Sequence, residues 1–181
     1  MSRQANLIDG AYFEFILKSE FKSPKVDFGK LSRKIAGTRE ILRTYYYGCL
    51  PYQSSTPTRE EQERFAKRQK FLNALDALPR FQVKQGRLEF RGIDKDGKPR
   101  FEQKLVDVLL AVDLVSLASK HVITDVAIIA GDSDFLPAIE AAKAEGVIIH
   151  LFHGANPHRE LLRVCDERIP ITQEFVDSIM L

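Results

Sequence analysis

Residues 125–152 constrain the fold more than any other stretch. Asp125-Val126-Ala127-Ile128-Ile129-Ala130 is an apolar run, residues 135–145 carry helical periodicity stopped by Gly146, and residues 147–152 form a second apolar run. Strands apolar on both faces must be covered on both, and a strand, a helix and a strand in succession join parallel neighbours through a crossover. The expected fold class is therefore α/β, a doubly wound and mostly parallel sheet flanked by helices.

The remaining chain fits that scheme. Ala5-Asn6-Leu7-Ile8 reads as a short strand ending at Asp9-Gly10, where glycine permits a tight turn, and residues 11–21 and 28–36 read as helices. Residues 41–50 hold Tyr45-Tyr46-Tyr47, an aromatic run that favours a strand ended by Pro51. Thr58-Arg59-Glu60-Glu61 is a capping box that opens a helix running to about Leu78. Residues 87–91 alternate and pair across Asp94-Lys95-Asp96-Gly97 with residues 99–101 as a hairpin. Residues 104–120 read as a helix whose apolar face holds Leu105, Val108, Leu109, Val112, Val115 and Leu117. Residues 159–165 predict another helix and residues 168–172 a last strand.

A chain of 181 residues suits one domain. The expected organisation is a single unit over 1–181, with a basic helix and hairpin insertion at about 53–103. With 44% hydrophobic and 29% charged residues, composition speaks against disorder. No apolar run reaches the ~18–20 residues a bilayer crossing needs, and the first residues lack a signal-like apolar region, so a cytoplasmic location without membrane association is expected. Cys49 and Cys165 form neither a disulfide framework nor a zinc pattern and read as buried small hydrophobes. A net charge of +2 is too mild to announce a nucleic-acid binder by itself.

The chemistry rests on acids. In open α/β sheets the working site lies beyond the carboxyl ends of the strands. Asp9 follows the first strand, and Gly131-Asp132-Ser133-Asp134-Phe135 follows the apolar strand at 125–130. If these strands are neighbours, Asp9, Asp132 and Asp134 converge and repel one another unless a cation neutralises them. Asp107, in the first turn of its helix, is the best fourth member; Asp113, six residues on, points away at ~100° per residue. Carboxylate oxygens are hard ligands suited to Mg²⁺ or Mn²⁺ with water and phosphate oxygens, an arrangement that supports phosphodiester hydrolysis. Taken singly, each acid also reads as a helix cap or a turn residue.

Taken together, Leu7-Ile8-Asp9-Gly10, then Lys104-Leu105-Val106-Asp107-Val108-Leu109-Leu110-Ala111-Val112-Asp113, then Ile129-Ala130-Gly131-Asp132-Ser133-Asp134-Phe135 resembles the NYN domain of the LabA-like group in the PIN-like nuclease superfamily. The resemblance follows the family's order along nearly the whole chain. It implies a doubly wound α/β domain in which Asp9, Asp107, Asp132 and Asp134 are the catalytic acids that hold Mg²⁺ or Mn²⁺ and cleave RNA. Two positions depart from the pattern: Tyr12 stands where many members carry Asn, and His158 where many carry a small hydroxyl residue.

Lys104, three residues before Asp107, is placed one helical turn away on the same side as a phosphate contact, and Ser133, His158 and Arg159 are further candidates for substrate binding. His150, inside an apolar strand, reads as a satisfied core or edge histidine. Arg59, Arg64, Lys67, Arg68, Lys70, Arg80, Lys84, Arg87 and Arg91, interleaved with Phe65, Phe71, Phe81 and Phe90, read either as an RNA-tracking surface or as a charged helix face over core phenylalanines. RNA is the expected partner, and a homodimer is compatible with the sequence. The leading function is a metal-dependent endoribonuclease, and the alternative is a non-catalytic RNA-binding or regulatory module on the same fold. A haloacid-dehalogenase-type phosphatase would need an acid where Ala11 stands.

Overall fold

The computed structural model describes residues 2–181. Seven strands form one sheet: β1 (Arg3–Asp9), β2 (Glu40–Cys49), β3 (Phe81–Ile93), β4 (Pro99–Lys104), β5 (Asp125–Ile129), β6 (Ile148–His153) and β7 (Glu167–Pro170), in spatial order 4-3-2-1-5-6-7. Every neighbouring pair is parallel except β3 and β4. The helices are α1 (Gly10–Glu20), α2 (Phe28–Ala36), α3 (Arg59–Asp76), α4 (Val106–Ser119), α5 (Leu136–Ala144), α6 (Arg159–Val164) and α7 (Gln173–Asp177). The architecture is the mixed, mostly parallel α/β sheet expected from the sequence.

Strand alternation sorts the core into two layers. Leu7, Tyr45, Tyr47, Val126 and Ile128 point to the face covered by α4, α5 and α6, where Leu110, Leu114, Ile139 and Leu161 meet them. Ile8, Tyr46, Ala127 and Ile129 point to the opposite face, against Phe13, Ile16, Leu31, Ile35, Leu72 and Val176. The chain winds out from β1 through β2 to β3 with its helices on one face, then returns to β5 and onward to β7 with its helices on the other. The reversal leaves a switch point between β1 and β5, which pair from Gln4 with Asp125 to Ile8 with Ile129.

The two edges of the sheet differ chemically. At the amino-terminal edge, Gln4, Asn6, Ser32 and Thr44 are buried and bonded to one another, with the Asn6 amide donating to Thr44 Oγ1 at 3.0 Å. Nearby, His150 Nε2 lies 2.8 Å from Asp125 Oδ1, which also takes Arg39 at 3.1 Å, so His150 is the satisfied core histidine its strand position implies. Polar demand is met there, and no described buried side-chain nitrogen or oxygen lacks a partner. The carboxyl-terminal edge instead carries the acids.

The structure revises several sequence expectations. Helix α3 is the crossover between the parallel strands β2 and β3, so only the end of β3 and all of β4 stand outside the parallel scheme. Gly10 is not a turn: it opens α1, and a Cβ there would collide with the Tyr46 ring and the Tyr47 carbonyl, so glycine is required for close packing. In α4 the buried stripe is Val106, Leu110, Leu114 and Ala118, whereas Leu105, Val108 and Val112 are exposed. This helix is apolar nearly all round, so periodicity did not set its phase. Helix α7, capped by Thr172 accepting from the Phe175 amide at 3.2 Å, was not anticipated.

Candidate active site

Asp9 ends β1 and caps α1, its Oδ1 accepting from the Tyr12 amide at 3.2 Å. Asp132 leaves β5 and caps a 3-10 turn, Ser133–Phe135, its Oδ1 accepting from the Asp134 amide at 3.0 Å. Because β1 and β5 are neighbours, both acids emerge at the same edge beside the switch point. Asp107 arrives from the other direction, in the first turn of α4. Each capping reading is therefore realised, and capping by one oxygen does not remove the carboxylate from the crevice.

The electrostatics record the grouping. Asp9 is buried, 8% exposed, and its carboxyl is pushed up to about 6; burial is the main cause, with the charges of Asp107 and Asp132 adding to it against the Tyr12 and Ala11 amides. Partial burial, followed by the charges of Asp132 and Asp134, also raises the Asp107 carboxyl. Asp107, Asp132 and Asp134 are solvent-exposed, so the group opens outward. Among the described residues no three His, Cys, Asp or Glu side chains stand close enough to hold one ion among them. The acids share a field without forming a closed cage.

Asp113 is turned away and otherwise engaged, accepting from Tyr47 Oη at 2.9 Å and lying 3.7 Å from Lys84 Nζ. Lys104 departs from its expected place. It ends β4 and donates to Glu102 Oε1 at 2.7 Å. Leu105, in left-handed conformation with φ 74°, separates it from α4, so no helical turn joins Lys104 to Asp107.

The β6–α6 connection forms a second wall, beside the exit of β5. His158 and Arg159 are exposed and, with Gly131, Asn156, Pro157, Glu160 and Arg163, line a cleft of about 580 Å³. Gly131 immediately precedes Asp132, which sets this cleft against the acids. Arg163, one turn beyond Arg159 on α6, was missed by sequence reading; its helical spacing from Arg159 was the available signal. Ser133, in the 3-10 turn, is partly exposed at the same edge.

Tyr12 ties these walls together. Its hydroxyl accepts from the Gly154 amide at 3.0 Å, and its ring lies against Gly131 so closely that a Cβ at that glycine would collide with it. A bulky ring therefore braces the exits of β1, β5 and β6 at this position. The basic helix α3 contributes less: Arg68 bonds Glu14 Oε1 at 2.5 Å and the Cys49 carbonyl at 3.3 Å, and its guanidinium lies 5.1 Å from the Phe71 ring centroid. Phe71 of α3 and Phe81 at the start of β3 are partly buried against the core.

Among solved structures, a protein of unknown function from Vibrio parahaemolyticus superposes with a TM-score of 0.68 over 99% of this chain and 96% of its own, at 15% identity, a likeness of fold. An uncharacterized protein, y4oD, of Sinorhizobium fredii is 38% identical over 58 residues, 32% of this chain. That match spans only 27% of the relative's own length. The family model of the NYN domain matches residues 3–172. The match runs through all seven strands and all three acid-bearing segments: the chain belongs to the NYN domain family.

Proposed function

We propose that this chain is a metal-dependent ribonuclease of the LabA-like branch of the NYN family, acting on RNA in the cytoplasm, with Asp9, Asp107, Asp132 and Asp134 as its catalytic acids. One observation carries the reading: at the carboxyl edge, beside the topological switch point, the Asp9 carboxyl of β1 and the Asp107 carboxyl of α4 are both pushed up, by burial first and then by the charges of neighbouring acids that include Asp132. Four hard oxygen donors around a partly desolvated crevice are the donor set for Mg²⁺ or Mn²⁺. Such an ion, when bound, supplies positive charge that offsets the carboxylates and the scissile phosphate and polarises an attacking water.

The chain's own groups do the rest. The Tyr12 and Asp134 amides orient Asp9 and Asp132 before substrate arrives. His158, Arg159 and Arg163 along the neighbouring cleft bind phosphate oxygens, and Ser133 adds a hydroxyl at the rim. Tyr12 keeps the two walls at a fixed separation. The absence of a closed three-donor cage among the described residues favours a second reading, an RNA-binding module without turnover.

A cleavage assay on a labelled RNA panel with Mg²⁺ or Mn²⁺ decides between them. Wild type cleaves and loses activity on chelation. Asp132→Asn, which keeps an N-capping side chain, falls by about two orders of magnitude, roughly 3 kcal/mol in barrier height. Equal cleavage by both proteins, or none by wild type on any RNA, contradicts the ribonuclease reading.

A further inference from the structure

One aromatic cluster lies outside both cores. Phe90 on β3 and Phe101 on β4 are cross-strand partners with ring centroids 6.0 Å apart, and Tyr52, just beyond β2, stands 6.1 Å from the first and 5.3 Å from the second. Phe90 is 46% exposed and Phe101 44%. The three rings are tilted against one another by 31°, 36° and 59°, and Tyr52 is partly exposed beside the two phenylalanines.

We propose that Tyr52, Phe90 and Phe101 form a base-stacking platform for single-stranded nucleic acid, feeding a strand toward the aspartate crevice; this rests on the ribonuclease reading of that crevice. Strand β3 pairs with β2 only as far as Gly86, so residues 87–93 run on past the carboxyl edge for roughly 20 Å at the rise of a strand. The platform thus stands on the same side of the sheet as Asp9. Its base is anchored beside Asp107: a Cβ on Gly86 would meet the Lys104 carbonyl and Val106, in the first turn of α4.

Charge favours a polyanion. Between Phe81 and Lys104 the sequence has seven Lys or Arg against four Asp or Glu. Glu89 and Glu102 face each other in the register next to the phenylalanine pair, hence on the opposite face, where they pair with Arg87, Arg91 and Lys104. These two glutamates are thereby held off the aromatic face, while Lys95, Lys98 and Arg100 are exposed near the tip alongside Asp96. Bases stack on such rings with little regard for sequence, and only an unpaired strand offers its base faces freely.

Anisotropy of a labelled single-stranded oligouridylate, in chelator so that nothing is cleaved, tests the platform. Wild type should bind this strand more tightly than an abasic strand of equal length. The Phe90→Ala, Phe101→Ala double variant should lose on the order of tenfold to a hundredfold in affinity. A Phe90→Leu, Phe101→Leu variant, which retains apolar cross-strand contact, should lose nearly as much with an unchanged circular dichroism spectrum. Wild-type affinity in both variants, equal affinity for the abasic strand, or a wild-type dimer that the leucine variant dissociates would overturn the platform. Tight base-dependent binding without cleavage after Mg²⁺ is restored supports the platform and counts against the ribonuclease reading alone.

Discussion

With its carboxyl pushed up to about 6 by burial and by the charges of Asp107 and Asp132, Asp9 makes the folded protein resist ionisation there. A carboxyl whose folded pKa lies above its unfolded value of 3.8 stabilises the fold fully below about pH 4 and loses that contribution as pH rises through 6. The penalty near neutrality is about 3 kcal/mol at most. Asp9→Asn keeps the cap on the Tyr12 amide and removes the charge. In metal-free urea unfolding it should therefore be about 1–3 kcal/mol more stable than wild type near pH 7.5 and match it near pH 4; a constant difference between the two pH values would refute this. Asp9 and Asp132 were legible in the sequence because a strand followed by an acid marks the edge where α/β sites lie. Lys104 was misplaced because a leucine gives no sign of the left-handed backbone at Leu105 that breaks the helix before it.

Helix α1 can leave β1 at the crevice only because Gly10 lets its first turn lie against Tyr46 and Tyr47. Gly10→Ala should cost about 1–3 kcal/mol in urea unfolding, as overpacking a close contact does, and should shift Asp9 with it. Unchanged stability and unchanged titration of Asp9 would show that α1 has room to move. The strands read clearly because β5 and β6 are buried on both faces, which forces continuous apolar runs. Helix α4 was recognised but its face was not: Leu and Val occupy both its buried and exposed sides, leaving only packing to choose Val106, Leu110 and Leu114. The role of α3 as a crossover was hidden by its many charges, since only Leu72 and Leu75 of its residues are fully buried.

Across the whole molecule the polar groups divide by edge. The amino-terminal edge closes its side chains into a saturated network around Asn6 and Asp125, whereas the carboxyl edge gathers acids whose charges oppose one another, flanked by the basic cleft of α6 and the aromatic hairpin. That asymmetry depends on strand order, which a single sequence indicates only through the apolar runs of β1 and β5. No described helix is long and apolar enough to cross a membrane. Acids from three separate elements are proposed to serve one metal site. Anomalous diffraction from crystals grown with Mn²⁺ measures this directly: the account requires a peak ligated by Asp9 and Asp132, with Asp107 or Asp134 completing the set, and its loss in Asp132→Asn. A well-ordered crevice without a peak, or manganese bound only elsewhere, would contradict it.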